Sequence, residues 1–153
     1  MSFVYSVKFI CGVQNLSTTC TSVRPGAYAT EIDIHNFHQP LTSGPPPPPA
    51  HITKRLLLLV HNNQPVGREP GSANAQNFAT ITLQPDTATM DDCCNLLGPN
   101  FTANGPLNIG FLELVSDVPV SVTAVYTAND VTASGAPGTA ISIDVQSITP
   151  QQA

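Results

Sequence analysis

The chain has 153 residues, of which only 10% are charged, and its formal net charge is −5. An ordinary soluble domain has about 25% charged residues, so this surface is unusually poor in charge. The length fits a single domain over residues 1–153. The acidic balance argues against binding nucleic acid or an anionic membrane, and no apolar run approaches the ~20 residues needed for membrane insertion.

Alternation of apolar and polar residues with a period of two predicts seven β-strands. The third of them, apolar on both faces near its centre, is expected in the middle of a sheet or under a partner. Clusters of Pro and Gly separate the strands, and Pro45–Pro49 predicts a stiff exposed polyproline loop. The predicted strands cover residues 3–13, 27–38, 51–61, 77–84, 107–115, 118–128 and 139–148.

One short helix is predicted, near residues 87–97. Asp86 is expected to cap it, Asp91 and Asp92 place negative charge near its start, and Gly98 ends it. Seven strands at this spacing predict an all-β fold, a single-domain antiparallel β-sandwich of immunoglobulin-like or jelly-roll type.

The four cysteines, Cys11, Cys20, Cys93 and Cys94, are the sharpest chemical feature of the sequence. An even number in an exported β-protein indicates disulfides. Cys11 faces the core by strand parity and is expected to reach Cys93 or Cys94. Cys20 is expected to pair with the remaining vicinal cysteine or with another subunit. Four buried or idle thiols in a reducing compartment are the main alternative.

Metal and enzyme chemistry have weak support. His35 and His38 are three residues apart, which puts them on opposite faces of a strand, and adjacent Cys93 and Cys94 lack the spacing of a zinc ligand pair. The chain has no nucleophile elbow, phosphate-binding glycine loop or His-Glu-x-x-His motif. We therefore expect no enzyme, no catalytic residue, no metal and no cofactor, and Cys11 with His35 is read as packing.

Several segments resemble those of a group of small uncharacterised bacterial β-sandwich proteins. The strings are KFICG at 8–12, PGAYATEIDIHN at 25–36, DCC at 92–94, VTAVYT at 122–127 and SIDV at 142–145. The resemblance spans most of the chain and implies the fold, and it brings no activity with it. In composition alone, the chain is also similar to disulfide-linked bacterial appendage subunits.

Low charge, strand-rich polar surface and surplus cysteine predict a non-enzymatic structural subunit that assembles with copies of itself. We expect a filament or surface array built by head-to-tail packing, which generates open polymers unless the rotation closes. Main-chain bonds across a sheet edge are expected to contribute affinity. Segments 2–11 and 141–148 are the expected donated strands, because a terminal strand can leave its domain without breaking a connection. The assembly candidates are Phe3, Tyr5, Val7, Ile141, Ile143 and Val145.

Two other functions fit the same sequence. A secreted binding module, for carbohydrate or a protein ligand, would use loops at one end of the sandwich with Arg24, Tyr28, His38 and Arg68, although the absence of Trp counts against carbohydrate. A viral shell protein would share the low charge and the assembly.

The expected location is extracellular or on the cell surface. The first residues, Met1–Lys8, lack a basic region followed by an apolar core, so we expect no signal peptide there. Two sequons in predicted loops, at Asn15 and Asn100, are glycan acceptor candidates in an exporting host.

Overall fold

The computed structural model describes residues 1–16, 20–39, 42–132 and 136–153. The ladders between its strands are all antiparallel, which confirms the predicted all-β sandwich. The elements are β1 Phe3–Gln14, β2 Gly26–Asn36, β3 Ala50–His61, β4 Gln64–Pro65, β5 Gln76–Leu83, β6 Thr87–Asp92, α1 Cys93–Leu97, β7 Asn108–Ser116, β8 Ser121–Val131, β9 Pro137–Ser147 and β10 Gln151–Gln152.

The strands form two layers. In the first sheet the order is β5, β3, β7, β1, with β4 beside the end of β3 and β10 beside the start of β1. In the second sheet the order is β6, β2, β8, β9. The prediction that the third strand lies mid-sheet is confirmed, since β3 has β7 on one side and β5 on the other.

β1 belongs to both sheets and changes sheet at Gly12. It pairs with β7 as far as Cys11 and with β2 from Gly12 onward. Gly12 has a φ of +102°, a conformation that favours glycine. A Cβ atom there would lie 2.4 Å from the carbonyl oxygen of Pro106, so the crossing depends on the absence of a side chain.

The core lies between the two sheets and follows the predicted alternation. Each strand turns every second side chain inward, and the largest buried side chains come from both layers. The core cluster includes Tyr5, Val7, Phe9, Ile32, Ile34, Ile52, Leu112, Leu114 and Val122.

The predicted helix is wrong in its first half, because Thr87–Asp92 is a strand that pairs with β2. Asp86 does not cap the helix but lies in the turn before β6 with a φ of +57°. The N-cap is Asp92, whose carboxylate accepts a hydrogen bond from the N–H of Asn95 at 2.9 Å. Two β-branched threonines in β6 and its pairing with β2 outweigh a helical spacing.

The seven predicted strands all exist, with ends displaced by no more than three residues. The sequence pattern missed β6 and the two-residue strands β4 and β10. The helix ends at Gly98 as predicted, where the N–H donates to the carbonyl of Cys94 at 2.9 Å. No helix among the described residues is long and apolar enough to cross a membrane.

Candidate functional site

β9 is the last strand of the second sheet, and no described strand pairs with its outer edge. From Thr139 to Ser147 every residue is exposed. Ile141 and Ile143 are each 68% exposed and Val145 is 61% exposed. Aliphatic side chains of this size normally lie inside a folded protein. Three of them at alternate positions of one exposed strand mark this edge strand as a contact surface.

These three side chains point away from the core. Ile143 lies opposite Thr127 and Val145 lies opposite Val125 across the β8–β9 ladder. The core-facing residues of β8 are those between, such as fully buried Ala124. Because side chains alternate along a strand, the aliphatic row of β9 projects from the outer face of the second sheet.

The main-chain groups of the same three residues face the unpaired edge. The N–H of Ile148 donates to the carbonyl of Val122 at 2.9 Å, in register with the β8–β9 ladder. Alternate residues of an antiparallel strand bond to the same neighbour, so even-numbered residues of β9 bond to β8. Ile141, Ile143 and Val145 therefore present their N–H and C=O groups outward, as a template for another strand.

β9 has few of the features that protect a sheet edge. Natural proteins keep edge strands short, place lysines on them, or cover them with a loop. β9 has eleven residues, and its one charged residue is Asp144, whose carboxylate accepts a hydrogen bond from Gln146 at 2.8 Å. Its ladder to β8 is regular from Ile141 to Ser147, so over this stretch the outer edge is an open, regular strand.

A groove of about 360 Å³ lies under β9, on the side that faces the first sheet. Lys8 and Ile10 of β1 line it, on a stretch of β1 that lies between its pairing with β10 at Phe3 and Val4 and its pairing with β2 from Gly12. The hydroxyl of Tyr126 crosses it and donates to the carbonyl of Lys8 at 2.7 Å. Burial, and then the Asp144 carboxylate, raise the pKa of Tyr126 above its usual value.

The assembly candidates on β1 are placed differently from those on β9. Tyr5 and Val7 are fully buried, and Phe3 packs against the same core. The Tyr5 hydroxyl donates to the carbonyl of Val120 at 2.8 Å and accepts from its N–H at 2.9 Å. In this fold these β1 residues hold the two sheets of one chain together, while Ile143 and its neighbours lie on the surface.

Cys11 and Cys93 form a disulfide that joins β1 to α1, with Cα atoms 5.7 Å apart. This is one of the two pairings that the sequence left open for Cys11. Both cysteines are buried, which fits an oxidising environment. Cys20 and Cys94 are exposed free thiols, so the expected intrachain bond between them does not form.

The histidines make local contacts, and no group of three potential metal ligands comes together among the described residues. His35 faces Asp86 at 3.7 Å, and His38 contacts Asn36 at 2.8 Å. Burial tends to raise the pKa of Asp117, but hydrogen bonds from the main chain and imidazole of His51 outweigh it and lower that pKa.

A buried ion pair was missed by sequence reasoning. The ammonium of Lys54 on β3 donates to the carboxylate of Asp91 on β6 at 2.7 Å, and both residues are less than 5% exposed. The sequence pattern predicts Asp91 as negative charge at the start of a helix, whereas it lies in β6. The alternation of side chains along β3 could have predicted that Lys54 is buried, because Lys54 lies on the same inward side as Ile52 and Leu56.

The loop residues predicted for a binding module do not all meet. Arg24 and Tyr28 lie where β2 begins, joined by a hydrogen bond from the Tyr28 hydroxyl to the Arg24 carbonyl, and Arg68 follows β4 at the same end. His38 follows the last residue of β2 and lies at the opposite end of the sandwich. A ligand site containing all four is therefore excluded.

Both sequon asparagines, Asn15 and Asn100, are exposed. Ser17, the hydroxyl residue of the first sequon, lies outside the described residues. Glycosylation at either site stays a prediction.

No family model, no curated protein and no solved structure matches this chain. The resemblance to small bacterial β-sandwich proteins therefore stays a prediction. What the chain does has to be inferred from its own surface and its own chemistry.

Proposed function

We propose that this chain is a non-enzymatic structural subunit that works by associating with copies of itself. One observation carries the proposal: β9 is an open edge strand whose aliphatic residues Ile141, Ile143 and Val145 are more than half exposed. Pairing with another strand satisfies the outward main-chain groups, and side chains of the two strands that lie opposite each other bury part of their apolar surface.

The low charge of the chain supports the same function. The net charge of −5 is ordinary for a small domain, but with only 10% of residues charged, few charged side chains have to leave water when two copies come into contact. β9 itself contributes one carboxylate, at Asp144, so its edge presents little electrostatic barrier.

The expected assembly is a filament or array outside the cell or on its surface. A buried disulfide between Cys11 and Cys93 suits an oxidising compartment. In such a compartment the exposed thiols of Cys20 and Cys94 are available to link neighbouring subunits covalently.

Sedimentation velocity and negative-stain electron microscopy of purified protein test the proposal. Ile143→Lys places a charge in the middle of the β9 edge and should shift the protein to monomers. Val66→Lys is the matched control, because Val66 is also half exposed but lies in the loop after β4. Wild-type protein that stays monomeric at every concentration, or an Ile143→Lys variant that assembles like wild type, would overturn the proposal.

The groove under β9 supports a second candidate, a secreted module that binds a carbohydrate or a protein ligand. It combines the Tyr126 ring with polar groups of Lys8, Asp144 and Gln146, the mixture of apolar and polar contacts that small-ligand sites use. Retention of a soluble monomer on an insoluble polysaccharide, together with loss of that retention in Tyr126→Ala, would favour this function.

A further inference from the structure

We propose that two copies pair their β9 strands antiparallel, with Ile143 of one copy opposite Ile143 of the other. This inference rests on the proposed function and specifies one contact of the assembly. A two-fold contact closes on itself, so a filament or array needs a second contact elsewhere on the subunit. The second sheets of the two copies then form one continuous sheet across a two-fold axis.

The direction of the main-chain groups limits the possible registers. Outward N–H and C=O groups belong to the odd-numbered residues of β9, because the even-numbered ones bond to β8. A two-fold antiparallel pairing must therefore place odd residues opposite odd residues. Three compact registers satisfy this condition. Their two-fold axes pass through Ser142, Ile143 or Asp144.

Side-chain chemistry selects the middle register. A centre at Asp144 sets the carboxylates of the two copies directly opposite each other, and like charges in that position are destabilising. A centre at Ser142 aligns Val145 with the polar Thr139. A centre at Ile143 does neither.

The register centred on Ile143 is self-complementary on both faces. On the outer face Ile141 meets Val145 of the second copy, so six aliphatic side chains form one continuous apolar strip. On the inner face Ser142, whose hydroxyl makes a long bond of 3.5 Å to the carbonyl of Ala128, meets Asp144 of the second copy, whose carboxylate has further acceptor positions beside the one that Gln146 uses. Both the apolar and the polar match recur by symmetry, which favours a second copy over an unrelated partner.

The geometry of the sandwich leaves room for this pairing. The side chains of β9 on the inner face, Ser142, Asp144 and Gln146, are exposed. No described strand pairs with the outer edge of β9, so a second β9 strand meets an unpaired edge. The grooves of the two copies lie on the same side of the joined sheet.

Cysteine pairing distinguishes the three registers. In a Cys20→Ser/Cys94→Ser background, introduced cysteines are the only free thiols. Ser142→Cys and Asp144→Cys proteins are prepared separately, oxidised with copper phenanthroline alone and as an equal mixture, and run on non-reducing gels. Val66→Cys reports random collision.

The middle register predicts a covalent dimer in the mixture well above the Val66→Cys level, and little dimer from either protein alone. Dimer from Ser142→Cys alone indicates the register centred on Ser142 and overturns the inference. Because Asp144→Cys lacks the carboxylate that opposes the third register, that register is tested with a mixture of Ser142→Cys and Gln146→Cys, and dimer from that mixture overturns the inference. The background protein is studied by sedimentation velocity in parallel. If it associates but the mixture gives no mixed disulfide, the register is wrong and the proposed function stands. If it does not associate, both the register and the proposed function are overturned.

Discussion

Lys54 and Asp91 link the two sheets from inside the core. Their charged groups are 2.7 Å apart and almost fully buried. Each charge would be costly to bury by itself, and each is tolerated because the other is there. Removing one partner should therefore lower the free energy of unfolding far more than removing both.

We expect Lys54→Ala to lower the free energy of unfolding by about 3–5 kcal/mol, because it leaves the Asp91 carboxylate buried without a partner. The double variant Lys54→Met/Asp91→Leu should recover most of that loss. Urea unfolding followed by circular dichroism gives both values.

Arg55→Ala is the matched control for this prediction. Arg55 forms an ion pair with Glu113 at 2.6 Å on the more exposed face of β3, and exposed pairs contribute about 0–1 kcal/mol. Equal losses in Lys54→Ala and Arg55→Ala would contradict the special role of burial.

Tyr5→Phe should destabilise the protein by about 1–3 kcal/mol, because it leaves the buried N–H and C=O of Val120 without the hydroxyl that bonds both. Tyr28→Phe removes a hydroxyl that bonds at the surface and should cost less. Thermal unfolding of the two variants compares them. A Tyr5→Phe protein as stable as wild type would show that water replaces the hydroxyl.

The same hydroxyl gives stability a dependence on pH. Burial raises the pKa of Tyr5, and the hydrogen bond to Val120 only partly opposes this. A group with a higher pKa in the folded state stabilises it fully below the unfolded pKa, about 10 for tyrosine, and the stabilisation is lost as pH rises through the folded pKa. As the pH rises above about 10, we expect Tyr5→Phe to lose less of its free energy of unfolding than wild type does. Tyr28 and Tyr126, whose pKa values are also raised, contribute to the loss in both proteins.

At the scale of elements, the passage of β1 from one sheet to the other depends on Gly12. Gly12→Ala should be strongly destabilising, because it adds a Cβ 2.4 Å from the Pro106 oxygen in a conformation that disfavours side chains. Gly44→Ala is the matched control, since Gly44 also has a positive φ, +121°, but has no atom near the added Cβ. Similar unfolding free energies for the two variants in urea would show that the β1 crossing accommodates a side chain.

Alternation predicted which residues of each strand face inward, as Ile32, Ile34 and Val122 show. It could not predict strand order, because pairing between distant strands depends on packing rather than on local period. It failed at Asp91, where a carboxylate placed inward on β6 looks like helix-start charge unless its partner Lys54 is known.

The candidate site was predictable in part. Ile141, Ile143 and Val145 were recognisable as one face of a strand, but not as an exposed face, since aliphatic alternation is usually the mark of a core side. Tyr5 and Val7 have the same pattern and are buried. The two cases differ in the face of the sheet that carries the apolar row, which is the inner face for β1 and the outer face for β9.

At the scale of the whole molecule, the disulfide closes a large part of the chain. Cys11 and Cys93 are 82 residues apart, for which the chain-entropy model gives about 4–5 kcal/mol of stabilisation. We expect Cys11→Ser/Cys93→Ser to lose an amount of this order in urea unfolding, and Cys20→Ser/Cys94→Ser to lose little, because those thiols are exposed and unbonded.

Thiol titration checks the same bond directly. Denatured, unreduced protein should show two reactive thiols per chain, and reduced protein four. Four thiols without reduction would contradict the disulfide.

The pairing of β1 also has a consequence for synthesis on the ribosome. Along Phe3–Cys11 its partner is β7, which ends at Ser116, and β10 follows only at Gln151. The aliphatic and aromatic side of the first strand therefore emerges long before the strands that cover it. Contacts so distant in the chain form slowly, and a nascent chain with little charge has few means of keeping this segment from its neighbours on a polysome. β1 is synthesised long before β7, with which it pairs, so we expect the growing chain to depend on a holding chaperone.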